Sequence, residues 1–417
     1  MKICAIISEY NPFHYGHLKH IEDAKKQSGA DAVMIILSGN FTQRGEPTIV
    51  NKHVRARIAL EAGADIVVQM PTAYATSTAE IFALAGVKIA NSFDSVTDLA
   101  FGCETKHTQL LQELAEFFVN EPKEYKTKLK KYLDQGNSLV TSRQKAIEDL
   151  IEEGQASFSN PSEISNVLKQ PNNILAIEYL KALINTNSKI KPVFTTRGDS
   201  DYNSEEVVGK NSSATAIRAR LYKTGKVSKI KKLVPKFTYS LLKEELKTFG
   251  MPDMNLFNDL CMYKLKMSTP EEIKKVFDVT EGLENRFHDM SRNTKSLSEL
   301  LLQVKTKRYT FTRIKRIILG NLLEINSKAV KSIYDLKILP FIKVLAFKDE
   351  REELLKSVSA NTNLIIRVNN VESEQSEIYK ELANIEDRAN QVYYMLLRKN
   401  ASIPEYTPDL LTKSIKI

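Results

Sequence analysis

Four short runs in the first hundred residues, KICAIIS (2–8), AVMIILS (32–38), DIVVQM (65–70) and VTDLAFG (96–102), restrict what this chain can fold into. Each is rich in β-branched residues and continuous in its hydrophobicity, which suits a strand buried on both faces. Helical periodicity at 16–28, 51–63 and 77–91 fills the gaps between them. Strands alternating with helices at this spacing give βαβ units and a parallel sheet. A fifth strand is expected at KIKPVFTT (189–196), ahead of a helix that opens at NSSATAIRARL (211–221). Residues 107–185 and the chain beyond 222 read as helical, with one strand-like interruption at NLIIRV (363–368). With 417 residues the chain is long for one core. The expectation is an α/β domain over 1–221 and a mainly helical, basic domain over 222–417.

Composition removes some classes of function. No apolar run approaches the roughly 18 residues that cross a bilayer, so no membrane partner is expected. The first apolar run stops at Ser8-Glu9 without a small-residue cleavage site, which argues against a signal peptide. Cys4, Cys103 and Cys261 are odd in number and far apart. That pattern suits reduced thiols in a cytoplasm and lacks the spacing of a metal site. Lys and Arg number 60 against 51 Asp and Glu, and the net charge of +9 favours a polyanionic partner. No obligate protein partner is evident.

The segment EYNPFHYGHLKH (9–20) holds three of the six histidines directly after the first expected strand. Ligands of open α/β sheets bind at the carboxyl ends of strands, so this segment lies where a ligand should. If a helix begins at Gly16, His17 falls in its first turn while His14 stays in the loop. Both imidazoles then face a helix N-terminus, whose N–H groups and partial positive charge attract phosphate. Gly16 lets a nucleotide approach the backbone closely. Imidazole donors can meet charge developing on phosphate oxygens, which suits nucleotidyl transfer with pyrophosphate as leaving group. A zinc site built from His14, His17 and His20 is the chemical rival, but no matching Cys or His cluster completes a tetrahedron. No metal ligands are assigned.

NPFHYGH resembles the HxGH signature of the HIGH-type nucleotidyltransferase superfamily, and SATAIR (213–218) resembles its second signature at a helix start. Ser213, Thr215 and Arg218 stand at the matching positions, with Ala214 where many members carry a hydroxyl. The order of EYNPFHYGHLKH, SGNFTQRGEPTIVNK, R-x-x-x-AL-x-x-GADIV, FGCET, PNNILAIEY and SATAIR is similar to that of the bacterial tRNA(Met) cytidine acetate ligases. That resemblance implies a Rossmann-like parallel sheet. It also implies an ATP-dependent enzyme that activates acetate as acetyl-adenylate and acetylates the wobble cytidine of elongator tRNA(Met). It places the ATP site at Ile7, Ser8, Glu9, Tyr10, Asn11, Pro12, Phe13, His14, Tyr15, Gly16, His17, Leu18, Lys19 and His20. Gly102, Asn172, Arg197 and Gly198 complete that site, with Ser213 and Thr215 at the second signature. His14, His17 and Arg218 are the implied catalytic groups. The chain departs from the family at Gln69, where an acidic residue is usual.

Several of these positions have a reading of their own. Gly102 ends a strand, where the missing side chain leaves room for a base or ribose. Asn172 either caps the helix that it precedes or reads adenine, and Asn173 is its alternative. Arg197 follows the fifth strand and can reach a phosphate. The loop SGNFTQRGEP (38–47) is longer and more polar than a simple turn needs. There Gln43, Arg44 and Lys52 either close over substrate or, for Arg44, pair with a surface carboxylate. Mg²⁺ is possible, although no acidic pair stands out.

KTKRYTFTRIKR (305–316) carries Lys305, Lys307, Arg308, Arg313, Lys315 and Arg316 without an acid, with Tyr309 and Phe311 interleaved. Phosphates suit the cations and unpaired bases suit the aromatics, so these six are candidate RNA-binding residues. An ordinary solvated helix face is the alternative, with Ile314, Ile317 and Ile318 turned to the core. RARLYKTGKVSKIKKLVPK (218–236) is a second basic run beside the expected site. Two other functions compete: a small-molecule adenylyltransferase, and a non-catalytic RNA-binding protein on the same fold. The large basic half argues against the first, and intact His14, Gly16, His17 and Arg218 argue against the second.

Overall fold

A computed structural model describes residues 1–196, 212–280, 282–357, 364–365, 376–397 and 412–417. The expected strands are present as β1 (Ile3–Ser8), β2 (Ala32–Ser38), β3 (Ile66–Met70), β4 (Val96–Cys103) and β5 (Lys191–Thr196). They run parallel in the order β5-β4-β1-β2-β3. β1 pairs with β2 from Ile3↔Ala32 to Ser8↔Leu37, and with β4 on its other side. β1 and β2 therefore end side by side at the sheet's carboxyl edge.

The strands are continuous in hydrophobicity because both faces are covered. Ile3 and Ala5 of β1, with Met34 and Ile36 of β2, belong to one buried cluster. Cys4, Ile6, Val33 and Ile35 alternate into a second cluster on the opposite face. Helices α1 (Tyr15–Ser28), α2 (Lys52–Glu61) and α3 (Ala79–Asn91) connect the first four strands, as the spacing predicts. Five further helices bear on the site: α4 (Pro171–Asn185), α5 (Ala214–Thr224), α6 (Lys236–Thr248), α7 (Phe311–Leu322) and α8 (Glu377–Met395).

The sheet extends beyond the five strands expected in it. β6 (Ile342–Phe347), in a stretch that reads as helical, is fully buried and pairs antiparallel with β3. β7 (Leu364–Ile365), within the strand-like run at 363–368, pairs with β6, as does β8 (Ile415–Lys416). The sheet thus draws strands from both sides of the boundary expected at 221–222. The remainder of the described second half is helical, and Ile314, Ile317 and Ile318 are buried as their spacing requires. Among the described residues no helix is long and apolar enough to cross a membrane.

Candidate active site

Tyr10 leaves β1 with a left-handed backbone (φ 48°) and turns the chain into the histidine segment. α1 opens at Tyr15 with His14 as its N-cap and His17 at its third position. The His14 Nδ1 accepts from the Gly16 N–H at 3.0 Å, and the His17 Nδ1 accepts from the His14 N–H at 3.3 Å. Two histidines thus form a reciprocal cap of the kind usually built from Ser and Glu. Because each Nδ1 accepts, a neutral ring here carries its proton on Nε2. The hydrogen-bond network therefore assigns an Nε2–H donor to each ring.

The rings stack at 3.9 Å between centroids, inclined by 27°. Tyr10 and Phe13 hold the His17 ring from other sides at 4.9 Å and 5.5 Å. Gly16 has a second reason to be glycine. A Cβ there would lie 2.9 Å from the His14 Cε1, so any side chain displaces the capping ring. His20 follows one turn later and is half-buried.

The second signature reaches the first. α5 begins at Ser213, whose hydroxyl accepts from the Ala216 N–H at 3.1 Å. Arg218 donates from Nη1 to the Asn11 carbonyl at 2.8 Å and from Nη2 to the Thr215 hydroxyl at 3.3 Å. Two segments far apart in the chain thereby share one crevice. Asn11 is also fixed by its side chain, whose Oδ1 accepts from the Ile49 N–H at 2.9 Å.

Gly102 lies at the end of β4, paired with Thr195. The cap reading of Asn172 is corrected: Gln170 is the cap of α4, and Asn172 lies in its first turn behind Pro171. Proline is tolerated there because its missing N–H would have no partner inside the helix. Asn172 donates to Glu104 through both its side chain and its backbone, and Asn173 adds its own N–H at 2.9 Å. Glu104 thus covers the N-terminus of α4 and ties it to the end of β4. Arg197 and Gly198 lie outside the described residues.

Some residues that build the site carried no role in the sequence reading. Arg55, which opens the R-x-x-x-AL-x-x-GADIV pattern, is completely buried. It donates to the carbonyls of Glu9 at 2.6 Å, Ser38 at 3.1 Å and Val50 at 3.3 Å, and also to that of Gly39. One guanidinium therefore fastens the ends of β1 and β2 together. Burial pulls its pKa down to about 10, still charged at neutral pH.

Glu386, on α8, is the second such residue. It accepts from the Gln69 side-chain amide at 2.5 Å, from the Thr72 hydroxyl at 2.9 Å and from the Thr72 N–H. Gln69, where the resemblance leads to an acid being expected, thus meets a carboxylate supplied by α8. On the same helix, Asn390 accepts from the Asn40 side chain and Tyr393 donates to the Thr48 carbonyl. α8 therefore closes the loop after β2. Lys52, expected to close over substrate, is instead buried at the start of α2.

The six basic residues of 305–316 divide into two groups. Arg313 and Arg316 converge on Asp278 at 3.2 Å and 3.5 Å, and Lys315 pairs with Glu46 at 2.6 Å. Lys305, Lys307 and Arg308 are exposed, with Phe311 beside them and Lys305 lying 5.1 Å over its ring. Among the described residues no group of three or more His, Cys, Asp or Glu side chains is placed to hold a metal ion.

Residues 1–406 match the family model described as HIGH Nucleotidyl Transferase. A tRNA(Met) cytidine acetate ligase of Alkaliphilus metalliredigens is 38% identical over 408 residues, covering 96% of each chain. The protein of that name from Halothermothrix orenii is 38% identical over 365 residues, 87% of this chain and 86% of its own. The crystal structure of apo Thermotoga maritima TmcAL superposes with a TM-score of 0.89 at 27% identity, over 100% of both chains. The same Thermotoga maritima protein bound with alpha-thio ATP gives 0.88 at 28% identity, again over the whole of both.

Proposed function

The chain belongs to the HIGH nucleotidyl transferase family and, within it, to the tRNA(Met) cytidine acetate ligases, and on that premise we propose that it couples ATP cleavage to acetylation of tRNA. In the first step an acetate oxygen attacks the α-phosphorus. The new O–P bond forms as the bond to the bridging oxygen breaks, and pyrophosphate leaves with the electron pair. In the second step the wobble cytidine amine of elongator tRNA(Met) attacks the acyl carbon. The acyl C–O bond breaks, AMP leaves with its electron pair, the nitrogen gives up one proton to solvent, and N4-acetylcytidine is formed.

The observation that supports this most is the reciprocal cap. It aims two Nε2–H donors from the N-terminus of α1, with Arg218 held to Asn11 next to them. Donors fixed before the reaction stabilise charge that develops on a phosphate without reorganising. Ser213 and Thr215 set the start of α5 and the inner side of Arg218. Glu9 accepts the Gln43 N–H and fixes the facing loop. Mg²⁺ carried in with the triphosphate is compatible with this arrangement.

We assign residues 1–221 to ATP and acetate, and 222–417 mainly to tRNA. Lys305, Lys307, Arg308 and Phe311 form an exposed surface on which a phosphate backbone and an unpaired base fit. Arg313, Lys315 and Arg316 support that surface through Asp278 and Glu46. The reaction belongs in the cytoplasm, where ATP and tRNA are found together. Incubation with labelled acetate, ATP and tRNA(Met), followed by nucleoside analysis, tests the proposal. N4-acetylcytidine in equal amount to AMP is expected. Label in no nucleoside, with a dinucleotide as product, would transfer the protein to the small-molecule adenylyltransferases.

A further inference from the structure

We infer that the turn formed by residues 42–45 is the subsite for the short carboxylate that is activated, with the Gln43 side-chain amide and the Arg44 guanidinium as its donors. The inference rests on the acyl activation proposed above and adds the place of the second small substrate.

β1 and β2 end side by side, and the segment after β1 is the histidine cap. The loop after β2 therefore forms the other wall of the crevice. The Gly45 N–H donates to the Thr42 carbonyl at 2.9 Å, closing a β-turn with Gln43 and Arg44 at its centre. The Thr42 N–H donates to the Glu46 carbonyl at 2.9 Å, and Phe41 bridges Pro47. The turn is then fastened on two outer sides. Its Gln43 N–H donates to the Glu9 carboxylate at 2.7 Å, and Glu46 pairs with Lys315 at 2.6 Å. Gly45 (φ 75°) lies so close to α7 that a Cβ would sit 2.7 Å from the Lys315 carbonyl. A loop held in this way presents its two central side chains at a fixed place.

Those side chains point to an anion. The Gln43 Nε2 is buried and has no hydrogen-bond partner among the described residues. Buried donors in native proteins are nearly always paired, so this one, beside the active site, is available to a ligand or a water. Arg44 stands next to Gln43 at the centre of the turn, and its charge acts on Glu9 as those of Arg218 and Arg55 do. Asn11 joins the Ile49 N–H, just beyond the turn, to Arg218 on α5, which puts this loop beside the second signature. Arg55 is committed to backbone carbonyls, and Arg218 to the Asn11 carbonyl and the Thr215 hydroxyl. Arg44 is the cation that the turn itself contributes.

The pairing suits the chemistry. A guanidinium attracts the carboxylate, while the neutral amide holds the oxygen that becomes the acyl carbonyl. The second oxygen is left to attack the α-phosphorus, and no proton has to move in this step.

The test is ATP–pyrophosphate exchange by the purified full-length protein, titrated separately with acetate and with ATP. Arg44→Gln should raise the KM for acetate about ten- to a hundredfold and Gln43→Ala about tenfold, as for lost hydrogen bonds to a charged group. The KM for ATP should be unchanged in both. Arg44→Lys, which keeps the charge and alters least, should lie between wild type and Arg44→Gln, and it serves if the glutamine variant does not fold. Absence of acetate-dependent exchange in the wild type would reject the proposed function itself. Wild-type exchange with an unaltered KM for acetate in the variants would overturn the subsite alone. An equal rise in the KM for ATP would overturn it too, and would give the turn to the triphosphate.

Discussion

The crevice at the ends of β1 and β2 and the basic segment at 305–316 are both rich in polar side chains, but they hold them differently. In the crevice nearly every such group has a backbone partner. Arg55 binds four carbonyls, Arg218 binds Asn11, and the two histidines accept from peptide N–H groups of their own cap. In the basic segment the cations meet mainly other charges or solvent, although Arg313 also donates to the Asp278 carbonyl at 2.8 Å. Arg313 and Arg316 share Asp278, Lys315 meets Glu46, and three cations stand exposed. A motif that is bonded to backbone specifies a geometry, whereas a run of charge specifies only a composition. The second kind of signal has to be divided by the fold before it can be read.

The comparison is broken most sharply at His17. Replacing it by alanine removes one Nε2–H donor, and loss of one such transition-state donor typically costs about 10²–10³ in rate. ATP–pyrophosphate exchange should fall by that factor while the affinity for tRNA is retained. Near-normal exchange by a folded His17→Ala protein would remove the histidine cap from the mechanism.

Asp278 tests the buried side of the basic segment. Asn keeps the shape and tolerates the left-handed backbone (φ 69°), but it leaves two guanidinium groups facing each other. Removing one partner of an ion pair that is largely but not fully buried should cost about 2 kcal/mol, below the range for completely buried pairs. A shifted denaturation midpoint with an unchanged salt dependence of tRNA binding is expected for Asp278→Asn. A change in the salt dependence instead would return Arg313 and Arg316 to the RNA surface.

The exposed side is tested by alanine at Lys305, Lys307 and Arg308 together. Each lost phosphate contact should reduce the slope of log affinity against log salt by somewhat less than one unit. Exchange without tRNA should continue, because adenylation uses the crevice. An unaltered slope would make the cluster an ordinary solvated face.

The smallest effect concerns pH. Glu245 on α6 accepts from the Asn51 side chain at 2.6 Å, and burial pushes its carboxyl up to about 7. An unfolded glutamate titrates near 4.3. Between these values the folded protein holds the proton and the unfolded chain does not, so stability falls as pH rises from about 4.3 to about 7. Glu245→Gln should flatten the stability profile in that window and leave it unaltered below it. A profile that is the same in both proteins would show that this carboxyl ionises normally.

The parallel sheet was legible because both-face burial leaves continuous apolar runs, and the place of His14 and His17 at a helix start because they lie within four residues, but their reciprocal capping was not. β6 was not, since FIKVLAF lies among lysine-rich helices and its partner β3 is distant in the chain. Arg55 was visible as part of a pattern, but its function depends on separate loops meeting, which no local spacing reveals. Glu386 is the clearest case. A glutamate in a helical stretch reads as surface, and only the fold sets it against Gln69 and Thr72. The basic run at 305–316 was visible as a run of charge, but Asp278 lies outside it and holds two of its cations, Arg313 and Arg316, inward.

The central claim is that the crevice alone forms an acyl-adenylate. The direct measurement is exchange of labelled pyrophosphate into ATP by the wild-type protein, with acetate present and tRNA left out. Exchange that depends on acetate and saturates with it is the predicted result. Exchange with no carboxylic acid in a panel, while ATP and a second nucleotide are joined into a dinucleotide, would contradict the account.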